Sequence, residues 1–292
     1  MSDKQPLFAF FGTPKFAVDV LNTLEKNGLV PALIITAPDR KQGRGMILTP
    51  SPAKLWATER GIDVLTPAAL KDNTFMAELA NTEWDVFVVA AYAKLIPKAM
   101  LEIPKHGCLN IHPSLLPKFR GPSPALSAIL ADERATGVSV MQMAEKMDAG
   151  PVVAQAKVEL EEEVPGSPEG GWPLFGSEFE ELLATEGGNL LAEVLPFYIK
   201  GEITPEVQDE SKATFTKKFT DADALIDLNG DARQNYLKIK AFDKGPRAYM
   251  LVNEKRVIVT GATFKDSVLT IEKVIPEGKK EMPYEQFFKN NQ

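Results

Sequence analysis

Over its first two hundred residues the chain alternates short apolar runs with amphipathic segments, and this alternation limits its fold more than any other feature. Residues 8–11 are apolar and stop at Gly12. Pro14 then suits the first turn of a helix, where a missing N–H costs nothing. Phe16, Val20, Leu21 and Leu24 recur at helical spacing. A strand is expected at 32–35, a polar stretch at 38–50, and helices over 52–60 and around 75–79. The continuously apolar run 86–91 reads as a buried parallel strand. Further strands are expected at 108–111, 138–143 and 152–158, with a helix at 125–130. Strands alternating with helices predict an α/β architecture, a twisted and mostly parallel sheet covered on both faces. Ligands of such sheets bind outside the carboxyl ends of the strands.

A Pro/Gly-rich acidic stretch at 161–173 interrupts the pattern and is expected to be a surface loop. Phe179, Leu182, Leu183, Leu190, Leu191 and Leu195 belong to a following helix, which Gly201 stops. Residues 204–211 are polar, lack apolar periodicity and read as a linker. The remainder changes character: a helix at 232–241, then strands at 249–252, 257–260 and 268–274, with turns at Asn253–Glu254 and Lys265–Asp266. A small antiparallel barrel or sheet is the economical reading. Two domains also fit a length of 292 residues.

Composition narrows the classes. One cysteine excludes an internal disulfide, and two histidines with that cysteine argue against a structural zinc site. The N-terminus makes a poor signal peptide and no run approaches a membrane span, so a cytoplasmic setting is expected. The net charge of -7 speaks against a uniformly basic nucleic-acid binder. It is unevenly spread. Residues 1–203 carry 18 Lys and Arg against 26 Asp and Glu, while 204–292 carry 15 against 14. The phosphate-binding pattern G-x-x-x-x-G-K-[ST] and the dinucleotide fingerprint G-x-G-x-x-G are absent, the latter because Leu48 stands at its last position. Ser114 lacks the nucleophile elbow. Cys108, inside an apolar strand, reads as a small hydrophobe, and His106 as a surface loop residue.

Three windows carry possible chemistry. In Asn110-Ile111-His112-Pro113 a strand ends in two polar residues that face one side. Pro113 keeps His112 extended. The imidazole can exchange a proton near neutral pH, and the Asn110 amide can donate to an oxyanion. The same pair also suits a capping Asn and a packed His. Asp148, before Ala149-Gly150-Pro151, occupies another strand-end loop; near His112 it would orient the ring and raise its pKa, and otherwise it is a turn residue. Arg40, Lys41 and Arg44, interleaved with Gly43 and Gly45, suit an RNA backbone or a solvated loop equally.

Taken together the windows resemble the methionyl-tRNA formyltransferases, a branch of the folate-dependent formyltransferase family. The resemblance runs through F-x-G-T-P-x-F-A at 10–17, P-D-R-x-x-G-R-G at 38–45, P-S-P-x-K at 50–54 and V-V-A-A-Y at 88–92. It continues in N-I-H-P-S-L-L-P-x-x-R-G at 110–121, T-G-V-S-V-M-Q-M at 136–143 and M-D-A-G-P at 147–151. The stretch 204–228, with P-E-V-Q-D-E and A-T-F-T-K-K, is similar to the family's linker and the entry to its second domain. The resemblance implies a Rossmann-like catalytic domain at 1–203, a linker at 204–211 and a C-terminal OB-like, tRNA-binding domain at 212–292. It implies formyl transfer from 10-formyltetrahydrofolate to the methionine amino group of initiator Met-tRNA, without a metal. The family's catalytic trio falls on Asn110, His112 and Asp148. Its folate pocket maps to Ala91, Tyr92, Ser114, Leu115, Leu116, Pro117 and Met143, and its tRNA loop to Arg40, Lys41 and Arg44. The Leu116–Pro117 bond matches a position that is cis in the family. A monomer without membrane attachment is expected.

The chain departs from the pattern in three places: Ala93 replaces a usual Gly, 161–173 is longer than typical, and Asp243 to Arg247 replaces a stretch with a Trp-Pro pair. The nearest rivals are a formyltransferase acting on an amino sugar or another small amine, and a hydrolase of the same donor. A non-catalytic RNA-binding protein would need no such trio.

Overall fold

The computed structural model describes residues 5–42, 45–160 and 171–289. The chain divides into two compact units. One draws on Met1–Arg120, Gly137–Lys157 and Glu181–Thr214, the other on Gly121–Thr136, Val158–Glu180 and Phe215–Gln292.

The first unit is built on the alternation seen in the sequence. Strand β1 (Phe8–Gly12) is buried throughout. A Cβ at Gly12 would lie 2.6 Å from Ala17 Cβ, so only glycine lets β1 turn directly into helix α1 (Lys15–Lys26). Phe16, Ala17, Val20, Leu21 and Leu24 bury the inner face of α1. After β2 (Leu33–Ile35) the polar stretch forms a small antiparallel hairpin, β3 (Arg40–Gln42) and β4 (Ile47–Thr49), which apolar patterning does not announce. Helix α2 (Pro52–Glu59) starts where Ser51 accepts from Lys54 N, and α3 (Asn73–Ala80) where Asp72 accepts from Phe75 N. Between them lies β5 (Asp63–Leu65), and after them β6 (Val86–Ala90), the short α4 (Lys98–Leu101) and β7 (Cys108–His112).

The sheet order is β5-β2-β1-β6-β7, extended by β8 (Ala135–Gln142) and β9 (Val152–Glu159). Strands β5, β2, β1, β6 and β7 run parallel. Strand β8 runs antiparallel to β7, with His112 opposite Ser139. The architecture is therefore Rossmann-like and mostly parallel, and the order reverses between β1 and β6. The carboxyl ends of β6 and β7 open beside that reversal.

Helix α6 (Gly176–Ile199) carries the adjacent pair Gly187 and Gly188. A Cβ on Gly187 would lie 2.4 Å from Ile111 Cγ2, and one on Gly188 2.7 Å from Thr23 Cβ. Glycine lets this helix lie directly against β7 and α1. Gly201, at φ +73°, ends the segment.

In the second unit, α5 (Pro124–Leu130) packs against α7 (Ala232–Ala241), whose start Asp231 caps through Gln234 N at 2.7 Å. Strands β10 (Tyr249–Val252), β11 (Lys255–Lys265), β12 (Val268–Pro276) and β13 (Met282–Pro283) form an antiparallel sheet in that order, followed by α8 (Tyr284–Lys289). Asn253 and Glu254 both take positive φ, as a two-residue hairpin turn requires. The next turn is centred on Asp266 and Ser267, one residue beyond the expected place. The long β11 is bulged around Gly261. The expected surface loop at 161–173 falls mostly outside the described residues, but its end is interior. Trp172 is fully buried and donates to Asp132 Oδ1 at 2.7 Å.

Candidate active site

Strand β7 delivers Asn110 half-buried and His112 almost fully buried at its carboxyl end. They sit two residues apart in an extended strand and so share a face. The chain leaving β7 is stitched to β8 and β9. Ser139 Oγ donates to Ser114 O at 2.6 Å and accepts from Leu116 N at 3.1 Å, while Gln155 Nε2 reaches Leu116 O at 2.9 Å.

His112 has two defined neighbours. Its Nε2 lies 3.0 Å from Phe119 O, and its Nδ1 lies 3.9 Å from Asp148 Oδ2. A carbonyl only accepts, so Nε2 carries the hydrogen and the neutral ring keeps its lone pair on Nδ1. The 3.9 Å gap is too long for a hydrogen bond but close enough for charge attraction. Burial pushes the His112 pKa below its ordinary value, against the raising influence of Asp148 and of the Phe119 carbonyl. The expectation that Asp148 lifts this pKa holds for its own contribution only; desolvation is larger. Burial thus favours the neutral ring, in which Nδ1 faces the Asp148 carboxylate.

Asp148 stands in a left-handed turn at φ +50°, and Phe119 in another at φ +58°. Such conformations are costly for residues with a Cβ and persist only where the surroundings enforce them. At the first turn Gly150 packs so tightly that a Cβ would lie 1.8 Å from Gln142 O.

The residues expected to border the folate pocket divide by environment. Ala91 is exposed at φ +49°. Tyr92 and Met143 are partly buried against one apolar cluster that includes Phe11, Phe87 and Cys108. The Tyr92 hydroxyl is buried without a hydrogen-bond partner among the described residues, and burial pushes its pKa up to about 12. Leu115 is half-buried, Leu116 is buried, and the Leu116–Pro117 peptide is cis. Ser114 is fully buried and its hydroxyl donates to Lys118 O at 2.7 Å, which makes it a brace of the turn. The Cys108 thiol is likewise raised to about 12 by burial, which removes it as a nucleophile.

Of the three loop cations, Arg40 and Lys41 lie exposed on β3, and Arg44 lies outside the described residues. Arg40 lines a cleft of about 210 Å³ with Thr13, Tyr92 and Lys94. Burial and the nearby Arg40 charge lower the Lys94 pKa. Lys94 was not among the sequence candidates, and no motif marks it. Two further omissions, Arg120 and Gln208, lie in quoted motifs but had no role assigned. Both are buried, and Arg120 Nε and Nη2 donate to Gln208 Oε1 at 3.0 and 2.9 Å. The locally basic stretch 233–256 is less available than its composition suggests. Arg233 pairs with Asp132 at 2.8 Å, Arg256 with Asp221 at 3.3 Å, and Lys240 is buried over the ring of Phe175.

Residues 5–164 match the family model described as formyl transferase, more than half of the chain. This chain belongs to the formyl transferase family. Among its relatives, the methionyl-tRNA formyltransferase of Bacillus licheniformis is 36% identical, over 95% of this chain and 93% of that protein. The formyl transferase fold is shared with solved structures of much lower identity. The methionyl-tRNA formyltransferase from Clostridium thermocellum matches with TM-score 0.61 and 14% identity, covering 94% of this chain and 99% of that one. HypX from Aquifex aeolicus in complex with tetrahydrofolic acid matches with TM-score 0.63 and 17% identity; the match covers 98% of this chain but about half, 47%, of HypX. Among the described residues no helix is long and apolar enough to cross a membrane, and no group of three or more His, Cys, Asp and Glu side chains could hold a metal ion.

Proposed function

We propose that this enzyme transfers a formyl group from 10-formyltetrahydrofolate to the α-amino group of methionine on initiator tRNA, in the cytoplasm and at the start of translation. The observation that carries the reading is a buried His112 with Nε2 against Phe119 O and Nδ1 3.9 Å from Asp148, on the same strand end as Asn110. Similarity to a methionyl-tRNA formyltransferase over 95% of the chain selects the acceptor.

The chemistry follows from those groups. The neutral amine attacks the formyl carbon, giving an oxyanion and an ammonium. The Asn110 amide donates to the oxyanion. His112 Nδ1 takes the ammonium proton, and Asp148 stabilises the resulting imidazolium. The proton then passes to the leaving nitrogen of the folate, and the carbonyl re-forms. No covalent enzyme intermediate is needed. The folate would lie along Ala91, Tyr92, Leu115, Leu116, Pro117 and Met143, with Ser114 shaping the turn from inside. Arg40, Lys41 and Arg44 would hold the acceptor end of the tRNA.

We further read residues 212–292 as a tRNA-binding domain of OB-like form acting within a monomer. The long bulged β11, which pairs with both β10 and β12, supports that reading, because bulges coil a sheet toward closure.

The test is formylation by purified protein supplied with 10-formyltetrahydrofolate and either charged initiator tRNA or amino sugars. Asn110→Ala and His112→Ala are expected to fold and to lose on the order of 10²-fold or more in kcat. Near-normal turnover by either variant, or formylation of sugars alone, overturns the proposal.

A further inference from the structure

The stretch that reads as a linker is tied to both turns that flank the candidate catalytic pair. Glu206 and Val152 exchange two backbone hydrogen bonds, at 2.8 and 2.7 Å. Two residues on, the Gln208 amide Nε2 donates to Asp148 O at 2.9 Å and to Gly150 O at 2.7 Å. These are the carbonyls of the left-handed turn that presents the Asp148 carboxylate. Gln208 Oε1 is held in turn by the Arg120 guanidinium, which fixes which way the amide faces. Thr214 does the equivalent at the other turn. Its Oγ1 accepts from Phe119 N at 2.8 Å, its carbonyl accepts from Arg120 N at 2.8 Å, and its N–H donates to Pro117 O at 3.2 Å. Phe119 is the residue whose carbonyl fixes the His112 tautomer.

Both strained turns are thus fastened to one short segment of chain. Arg120 Nη2 also meets Glu210 Oε1 at 2.8 Å, and Lys146 Nζ meets Glu210 Oε2 at 2.6 Å. Arg120 itself is buried, and its Nη1 has no partner among the described residues. A buried guanidinium with an unmet donor is costly in a fold and has to be compensated by what it positions.

We propose that residues 206–214 are a latch: Gln208, oriented by Arg120, and Thr214 are positioning residues that set the His112–Asp148 geometry. This rests on the reading of His112 and Asp148 as the reacting pair. Gln208 is suited to the task because its amide both donates and accepts. It can face two carbonyls on one side and a guanidinium on the other, which neither carboxylate nor ammonium can do.

The experiment compares Gln208→Met, Gln208→Glu and Thr214→Val in the full-length protein. Formylation kinetics, the pH profile of kcat and the NMR titration of His112 are measured. Gln208→Met loses the donor and the acceptor. Gln208→Glu keeps the acceptor for Arg120 but turns a carboxylate toward the two turn carbonyls. Both are expected to lower kcat by on the order of 10-fold to 10²-fold with KM for the folate changed less than about threefold. The acid limb of the profile and the His112 midpoint are expected to move downward together, as the Asp148 carboxylate moves off. Thr214→Val is expected to lower kcat in the same way and, by freeing Phe119, to change the His112 ring-nitrogen shifts. Wild-type kcat and an unmoved His112 titration in folded Gln208→Met overturn the latch. So does recovery of both by Gln208→Glu, since only the contact with Arg120 would then matter. If Gln208→Met fails to fold, Gln208→Glu and Thr214→Val decide by the same readouts. Absence of any formylation by the wild type defeats the functional reading instead, and the His112 titration still reports on the latch.

Discussion

At the scale of single residues, His112 is defined by two opposed influences. Its surroundings exclude water, which disfavours the imidazolium, while Asp148 favours it from 3.9 Å. Exclusion of water is the stronger, so the folded pKa lies below the ordinary 6.5. Activity that needs the neutral ring should therefore be flat through pH 7 and fall only on the acid side of 6.5. Asp148→Asn removes the raising influence. It is expected to move that acid limb still lower and to reduce the plateau by on the order of 10²-fold or more, because the imidazolium loses its counter-charge. A pH–rate profile that is unmoved, or that moves upward, contradicts this account. The same shift has a stability sign. Between the folded midpoint and 6.5 the unfolded chain binds the extra proton, so stability should fall as pH drops through that window.

The sequence exposed the identities of this pair more readily than their states. Spacing on a strand placed Asn110 and His112 together, because a period of two is a property of extended chain. That burial would outweigh Asp148 depends on what covers the ring from distant segments, which spacing does not encode. Arg120 and Gln208 were hidden for the same reason: their partners lie 88 residues apart in the chain.

At the scale of elements, the continuously apolar or evenly periodic segments were legible. The expected helix at 232–241 coincides with α7, and the strand at 249–252 with β10. The hairpin β3–β4 was not, because Arg40, Lys41, Ile47 and Leu48 are all exposed and show no in-and-out alternation that patterning could register. Nor was the antiparallel course of β8, since an apolar run carries no direction. Gly187 and Gly188 show a further kind of silence. Within a helix each costs ~1 kcal/mol relative to alanine, and their purpose appears only in what they touch. Gly187→Ala forces a Cβ into Ile111, between Asn110 and His112, and is expected to cost ~1–3 kcal/mol net in urea unfolding and to lower kcat as well. Gly188→Ala presses on Thr23 of α1 and should lower stability while leaving kcat near wild type. Equal effects on kcat would show that α6 does not set the position of β7.

At the scale of the whole molecule, the charge distribution bears on how RNA would be held. The total is -7, and in the second unit Arg233, Arg256 and Lys240 are already engaged internally. If Arg40, Lys41 and Arg44 make the main phosphate contacts, the logarithm of tRNA affinity should fall with the logarithm of salt at a slope of about -2 to -3. A slope several times steeper would show that further cations, such as the exposed Lys217, Lys218, Lys279 and Lys280 of the second unit, also meet the phosphates. The departures at 242–247 leave the helix α7 and its packing intact, with Phe242 buried at its end and Asp243 accepting from Ser177 N at 3.1 Å.

The tie between residues 206–214 and the turns at 117–120 and 148–150 also has a meaning in time. A ribosome releases β7 roughly a hundred residues before Thr214, an interval of about 5–20 s at ordinary rates of synthesis. Throughout that interval Asn110 and His112 exist, and so in due course does Asp148, yet the turns at 117–120 and 148–150 lack the brace of residues 206–214. On the latch proposal, a nascent chain ending near residue 203 would carry Asn110, His112 and Asp148 and still turn over slowly. Full rate would arrive late, with a segment that contributes no reacting atom, so an unfinished copy of the enzyme would lag well behind a finished one.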